Sequence, residues 1–205
     1  MIYIIMCGGE YSKWESPRQL IQIGGEPVVV RTIRLLKEAG AEEIYISTND
    51  DRFSEYAPLL KHDNDFRAYI DGCWVDAFYP TMEPACYIFG DVVFSHDAIK
   101  TIVTDQTGGI QFYASCPPFH PLYIKKYAEP FAFKVVDQVR FRSAINYIKA
   151  NLDIFNRHPI AWELWQIVNG WEPNEIYYGS YVAINDYTCD IDSPKDAEKI
   201  SEVLA

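Results

Sequence analysis

Two pairs of residues in the sequence stand where an α/β protein binds its ligands. Gly8-Gly9 follow the apolar run 2–6, and Gly90-Asp91 follow a second apolar run, 85–89. Adjacent glycines directly after a buried strand let backbone N–H groups approach a phosphate closely. A structural turn explains the two glycines equally well, and a strand-end turn explains Asp91. The meaning of both pairs therefore depends on the elements that position them.

The hydrophobic pattern predicts alternating strands and helices around these pairs. The runs 2–6, 44–47 and 85–89 are short and apolar, as in buried parallel strands. Between the first two, a proline, periodic apolar residues and a closing glycine predict a helix over 27–39. Further strands are predicted at 110–115, 131–136 and 180–184, and further helices after Ser95, near 140–154, around 160–169 and after Ser193-Pro194. We therefore expect an α/β fold with a mostly parallel sheet, whose ligands bind beyond the carboxyl ends of the strands.

Composition narrows the class of protein. The chain has 205 residues, 49% hydrophobic and 23% charged, which predicts one domain over residues 1–205 and excludes a disordered chain. Eighteen Lys and Arg against 29 Asp and Glu give a net charge of −11. This balance argues against nucleic acid or an anionic membrane as the main partner. Residues 120–142 are the exception, with five basic against two acidic side chains, although a solvated surface is the simpler explanation.

Cysteine usage and apolar runs bear on location. The five cysteines are widely spaced and form no C-x-x-C pair, which is typical of buried thiols in a reducing compartment. No apolar run approaches the length of a membrane span. We therefore expect a cytoplasmic protein, and nothing in the sequence indicates an oligomeric state.

A longer stretch of the sequence carries a family resemblance. Residues 4–20 read IIMCGGEYSKWESPRQL, and a G-E-P turn at 25–27 and an Arg-Thr pair at 31–32 follow. This pattern resembles the nucleoside-triphosphate transferases of GT-A-like fold, such as sugar-phosphate nucleotidyltransferases and phosphocholine cytidylyltransferases. Residues 87–92 (YIFGDV) and 190–196 (DIDSPKD) resemble two later acidic blocks of that family. The resemblance implies a single-domain, three-layer sandwich with a mostly parallel, Rossmann-like central sheet.

The resemblance also implies a reaction, the transfer of NMP from an NTP to a small phosphorylated acceptor such as a sugar phosphate or phosphoalcohol, with release of pyrophosphate. Because such a reaction joins two phosphate groups, cations must shield their charges and hold the attack in line. The family pattern implies Asp91 and Asp192, with Asp190 as a less certain third, as ligands of Mg²⁺. It implies Lys13 and Arg18 as the catalytic cations. The nucleotide's phosphates would lie on the backbone of Cys7, Gly8 and Gly9.

Contacts to the acceptor and to the base are predicted less sharply. Residues 129–134 (EPFAFK) resemble the segment by which sugar-phosphate nucleotidyltransferases contact their sugar, so Glu129 and Lys134 are the predicted acceptor-binding residues. An exposed cation on an amphipathic strand explains Lys134 about as well. Asp76 and Thr81 are candidates for contacts to the base or ribose. Since the family's G-T-A-type segment is absent between residues 60 and 90, the base stays open, with CTP or UTP favoured.

Three positions depart from the family pattern. Tyr11 replaces a glycine, Lys13 an arginine and Arg18 a lysine, so charge is preserved but the geometry of the contact with phosphate changes. A non-catalytic nucleotide-binding sensor or partner-binding module therefore stays open as an alternative. A GT-A glycosyltransferase is a third candidate. The Val92-Val93 pair after Asp91 counts against it, because such enzymes usually need an Asp-x-Asp at the strand end.

Overall fold

A computed structural model describes residues 1–9, 14–63, 74–115 and 128–204. Strands and helices alternate along these residues, as the hydrophobic pattern predicts. The strands are β1 (Ile2–Met6), β2 (Gln22–Ile23), β3 (Glu26–Pro27), β4 (Ile44–Ser47), β5 (Leu59–Leu60), β6 (Ala85–Phe89), β7 (Val92–Val93), β8 (Ile110–Ser115), β9 (Pro130–Val135), β10 (Val182–Ile184) and β11 (Cys189–Asp190). The α-helices are α1 (Val28–Glu38), α2 (His96–Thr104), α3 (Gln138–Ala150), α4 (Ala161–Asn169) and α5 (Pro194–Leu204), and 3₁₀ turns cover Arg18–Leu20, Asp51–Phe53, Trp74–Ala77 and Leu152–Ile154.

In the part of the chain that the structure describes, seven strands form the central sheet, in the order β10-β8-β9-β6-β1-β4-β5. Strand β1 pairs in parallel with β4 on one side and with β6 on the other, and the pairs β4-β5 and β8-β10 are also parallel. Strand β9 runs antiparallel to both of its neighbours, β6 and β8. The predicted α/β fold with a mostly parallel sheet is therefore confirmed, and β9 is its reversed strand.

The strands at the centre of this sheet are apolar because both of their faces are buried. Every residue of β1 and of β6 is buried, which explains their uninterrupted apolar runs. The flanking helices begin and end at signals that the sequence shows. The Ser95 hydroxyl accepts the N–H of Ala98 at 2.9 Å and caps α2. Gly40, with φ at +97°, follows the end of α1 in a left-handed conformation.

Gly90 brings the ends of β1 and β6 into direct contact. Its N–H donates to the carbonyl of Met6 at 3.0 Å. A Cβ atom at this position would lie 2.4 Å from that carbonyl oxygen and 2.7 Å from the Cys7 sulfur. Only glycine therefore allows this approach, which places the residues that follow the two strands at the same edge of the sheet.

A second, small sheet attaches the C-terminal part of the chain to this edge. Strand β7 pairs antiparallel with β11, and the N–H of Ile191 donates to the carbonyl of Asp91 at 2.9 Å. Apolar side chains at Val93, Cys189, Ile191 and Ile200 form a buried cluster below this pairing. The second acidic block is thereby fixed beside the first, although the two are far apart in the sequence.

Aromatic packing positions the short 3₁₀ turn Trp74–Ala77 against the sheet. The ring of Phe78 makes edge-to-face contacts with Trp74, Tyr87 and Phe133, at centroid distances of 5.2 to 5.6 Å. Trp162 and Trp165 are also buried. Among the described residues, no helix is long and apolar enough to cross a bilayer.

Candidate active site

A cavity of about 260 Å³ opens at the edge of the sheet where β1 and β6 end. Six residues predicted from the sequence line it, namely Gly8, Gly9, Arg18, Asp91, Asp190 and Asp192. They come from all three blocks of the family resemblance. The rest of the lining consists of Met6, Gln19, Trp74, Ala77, Phe89, Pro130 and Ile160. The structure thus gathers the predicted phosphate loop, one predicted cation and the predicted metal ligands around one space.

Arg18 joins the two acidic blocks. It lies at the start of the 3₁₀ turn Arg18–Leu20 and its side chain is 19% exposed. Its Nη2 atom lies 2.6 Å from Oδ2 of Asp91, and its Nη1 atom lies 3.1 Å from Oδ1 of Asp192. Nη1 also donates to the carbonyl of Ile191 at 3.1 Å. One planar guanidinium thereby bridges both carboxylates, a geometry that a lysine ammonium would not reproduce.

Asp91 carries a negative charge that its surroundings disfavour. Burial raises the pKa of its carboxyl, and the charges of Asp192 and Glu129 raise it further. The Arg18 guanidinium opposes these effects and draws the pKa down, but the net direction is upward. A carboxylate in such a setting binds a cation that replaces its lost hydration, so this position suits either an arginine or a metal ion.

The structure places Glu129, a predicted acceptor-binding residue, outside the cavity lining. This residue is fully buried and is not among the residues that line the cavity, and its predicted contact with the acceptor stays a prediction. Its Oε2 atom accepts the backbone N–H of Asp190 at 3.2 Å. Glu129 therefore fixes the backbone of the second acidic block by a hydrogen bond. Its charge also raises the pKa of Asp91.

Lys134 also lies away from the cavity. Its ammonium group donates to the carbonyls of Ile102, Val103 and Asp105 at 2.9, 3.0 and 2.5 Å. These carbonyls end helix α2, and an ammonium group has three donors, so all of them are used. The structure thus gives Lys134 a capping role, for which a buried lysine beside a helix C-terminus is suited, and its predicted contact with the acceptor stays a prediction.

The predicted base or ribose contacts are not brought to the cavity either. Asp76 lines a second cavity of about 400 Å³ and pairs with the Lys149 ammonium at 2.6 Å. The Thr81 hydroxyl accepts the N–H of Glu83 at 3.1 Å, which closes a local turn. The 3₁₀ turn that contains Asp76 instead presents Trp74 and Ala77 to the first cavity.

The remaining predicted residues are Cys7 and Lys13. The backbone N–H of Cys7 donates to the carbonyl of Ser47 at 3.0 Å, so it is not available to a phosphate. Burial, together with the nearby charge of Asp91, raises the pKa of the Cys7 thiol well above its usual range. Lys13 lies outside the described residues, and its predicted role stays a prediction.

Gln19 is a cavity residue that sequence reasoning does not single out. Its side chain is 3% exposed and its Oε1 atom has no hydrogen-bond partner among the residues that the structure describes. Its position directly after the Pro17-Arg18 pair is the signal that could have identified it. Trp74 and Ala77 were missed for a different reason, because no motif in the sequence marks them as cavity residues.

The acidic residues of the cavity fit Mg²⁺ as it is bound in nucleotide sites. Within the described ranges, no group of three or more His, Cys, Asp or Glu side chains is arranged to hold a metal ion. Asp91 and Asp192 both contact the Arg18 guanidinium, so the two carboxylates already face one cation of the protein itself. Mg²⁺ commonly takes one or two carboxylates and completes its octahedron with water and substrate phosphate oxygens. Two carboxylates beside the predicted phosphate loop are a donor set of the chemical type that Mg²⁺ takes together with a nucleotide.

Comparisons with known proteins agree with this arrangement. Residues 3–73 match the family model of the MobA-like NTP transferase domain. A Bacillus anthracis protein assigned as a glucose-1-phosphate thymidylyltransferase, solved with sucrose, is 16% identical, with a TM-score of 0.57 over 99% of this chain and 94% of that chain. The inositol-1-phosphate CTP transferase from T. maritima is 13% identical, with a TM-score of 0.60 over 98% and 95%. No curated protein matches the sequence. At these identities the solved structures show a shared fold, and together with the family model they confirm the resemblance to nucleoside-triphosphate transferases that the opening residues predict.

Proposed function

We propose that the protein is a nucleotidyltransferase, which transfers NMP from an NTP to a small phosphorylated acceptor and releases pyrophosphate. The observation that carries this proposal is the convergence of Gly8-Gly9, Arg18, Asp91 and Asp192 on one cavity at the end of β1. The family match supports it. So do the names of the two structural neighbours, which describe nucleotidyl transfer to glucose 1-phosphate and inositol 1-phosphate.

In the proposed reaction, an acceptor phosphate oxygen attacks the α-phosphorus of the NTP. The bond from that phosphorus to the oxygen that bridges it to the β-phosphate breaks, and pyrophosphate leaves with the bonding electrons. The backbone N–H groups of Gly8 and Gly9 would hold the triphosphate in line for this attack. Arg18, with Lys13 as a second cation, would neutralise charge that builds up in the transition state.

Asp91 and Asp192 would hold Mg²⁺, with Asp190 on the same wall. When bound, the ion supplies charge stabilisation to the leaving pyrophosphate. Glu129 contributes as a positioning residue because it fixes the backbone of Asp190. The apolar part of the wall, formed by Met6, Trp74 and Phe89, limits the access of water to the reacting phosphates. CTP or UTP is the favoured donor, and a phosphosugar or phosphoalcohol in the cytoplasm the favoured acceptor.

The proposal is tested in two steps. Thermal shift with each of the four NTPs and MgCl₂ identifies the nucleotide that stabilises the protein. Release of pyrophosphate is then measured with this nucleotide and a panel of phosphosugars and phosphoalcohols. We expect Asp91→Asn to lower the rate of release by about 100-fold or more. Asp153→Asn, at an exposed carboxylate outside the cavity, serves as the matched control and leaves the rate unchanged.

Two results would contradict the proposal. Stabilisation by an NTP without release of pyrophosphate for any acceptor would select the alternative of a nucleotide-binding sensor. Turnover of a nucleotide-sugar donor without release of pyrophosphate would select a glycosyltransferase.

A further inference from the structure

The two carboxylates assigned to the metal already hold a cation that belongs to the protein. Two different guanidinium nitrogens of Arg18 contact Oδ2 of Asp91 and Oδ1 of Asp192. The carbonyl of Ile191 adds a third acceptor to the same group. The guanidinium therefore has a complete binding site of its own in the protein without nucleotide.

A divalent ion would need the same carboxylate oxygens. Asp91 is largely withdrawn from water, which strengthens its attraction to Arg18 and also the repulsion between Arg18 and any second cation at this point. Two cations cannot both neutralise this pair without an additional anion. The triphosphate of a nucleotide is such an anion, and Arg18 lines the same cavity as Gly8 and Gly9, where the triphosphate would lie.

We propose that Arg18 competes with the divalent metal for Asp91 and Asp192 in the nucleotide-free protein, and that the nucleotide's phosphates relieve this competition by giving Arg18 another partner. This inference rests on the proposed function and concerns the order in which the site is loaded. Metal alone binds weakly, whereas metal and nucleotide together strengthen each other's binding. Such coupling is reciprocal, and couplings of this kind typically change affinity 5- to 150-fold.

The shape of the arginine side chain favours this competition. A guanidinium offers a planar set of donors that spans two carboxylates, whereas a lysine ammonium is a compact point charge. The replacement of the family's lysine by Arg18 therefore favours a firmly held bridge. In this chain the residue that stabilises the phosphates would also keep the metal site closed until a nucleotide arrives.

The test uses electron paramagnetic resonance to measure the binding of Mn²⁺ to the nucleotide-free chain of 205 residues. We expect Arg18→Gln to bind Mn²⁺ about fivefold tighter or more, because the internal competitor is gone. The same variant should bind the Mg²⁺-NTP complex more weakly, as measured by isothermal titration. Opposite signs for the two affinities are the signature of the proposal. Arg34→Gln, at an exposed arginine that pairs with Glu26 and Glu38, is the matched control and changes neither affinity.

Two further variants keep the result interpretable. Arg18→Lys retains the charge and should give an Mn²⁺ affinity between those of the wild type and Arg18→Gln. Asp192→Asn in the Arg18→Gln background should abolish the gain, which locates the ion at this pair. The proposal is overturned if both Arg18 variants bind Mn²⁺ no more tightly than the wild type. A tighter Mn²⁺ site in a protein that transfers no nucleotide would uphold the competition and reject the proposed function.

Discussion

The carboxylate of Glu129 accepts the backbone N–H of Asp190 at 3.2 Å, which joins the start of β9 to the second acidic block of the cavity. Glu129→Ala would remove this acceptor from the partly buried N–H, at a cost of about 1–3 kcal/mol. We expect that loss in urea unfolding, together with slower release of pyrophosphate. Glu129→Gln retains an acceptor oxygen and should lose less stability. Equal losses of stability in the two variants would show that the charge of Glu129, and not its hydrogen bond, stabilises the fold.

Asp91 should weaken the fold at neutral pH. Because the pKa of Asp91 is raised, the folded protein binds the proton of this carboxyl more tightly than the unfolded chain does. Ionisation of Asp91 therefore lowers the free energy of unfolding as the pH rises through the pKa of the folded state. Asp91→Asn should therefore raise Tm at pH 7 and abolish release of pyrophosphate, as at other sites that trade stability for function. The gain in Tm should shrink as the pH is lowered. Asp192→Asn, at a side chain 43% exposed, should change Tm less. A lower Tm for Asp91→Asn would mean that attraction to Arg18 outweighs burial.

A substitution of Lys134 distinguishes a structural role of this residue from a role in binding the acceptor. Lys134→Met removes the donor to three carbonyls at the end of α2 and should lower the free energy of unfolding by about 1–3 kcal/mol. The KM for the acceptor, measured on the folded fraction, should not change. Lys100→Met, at an exposed lysine on the same helix, is the control for stability. A raised KM for the acceptor would return Lys134 to the role that the sequence predicts.

Gly90 should not tolerate a side chain. In Gly90→Ala the new methyl group would lie 2.4 Å from the Met6 carbonyl oxygen, and relief of this overlap typically costs about 1–3 kcal/mol. The shift would also separate Asp91 from the end of β1, so activity should fall with stability. Both are measured against Gly108→Ala, where a Cβ meets no atom within 4 Å. Similar stabilities for the two variants would contradict the close packing described here.

His62 should make the fold sensitive to acid. Its Nε2 atom lies 2.5 Å from the Ser47 hydroxyl, and burial lowers the pKa of the imidazole to about 4. The unfolded chain binds this proton more tightly, so stability is lost as the pH falls from about 6.5 to about 4. The loss in the free energy of unfolding is at most about 3 kcal/mol, and screening by solvent makes it smaller. His62→Asn should flatten this part of the stability profile, measured by urea unfolding across pH. His96→Asn, at an exposed histidine, should leave the profile intact.

The sequence predicts the central strands well because their burial has a local signature. The predicted strands 2–6, 44–47 and 85–89 coincide with β1, β4 and β6 to the residue. The orientation of β9 has no such signature, since periodicity reports which faces are buried and not which way a strand runs. The pairing of β7 with β11 is also invisible locally, because both strands are two residues long and lie far apart in the chain.

For the candidate site, charge and glycine motifs identify the residues at strand ends but not their partners. Asp91, Asp192 and Arg18 are predicted as separate elements of a motif, whereas their mutual contacts follow from tertiary packing alone. For Glu129 and Lys134 the structure shows contacts that the sequence does not predict. Their types suit an acceptor, but packing places them behind the cavity wall and at a helix end. Gln19 has a polar type that is usually exposed, so its burial could not be expected from sequence.

The pairing of β7 with β11 also determines the stage of synthesis at which the complete site can form. A ribosome releases the first strands and α1 well before residues 189–192 are made, and N-terminal units generally fold first. Until the last acidic block emerges, Arg18 has Asp91 but not Asp192 as its counterion, and the cavity lacks one wall. A nascent or proteolytically shortened chain that stops before β11 would therefore hold a nearly complete sheet without a complete site.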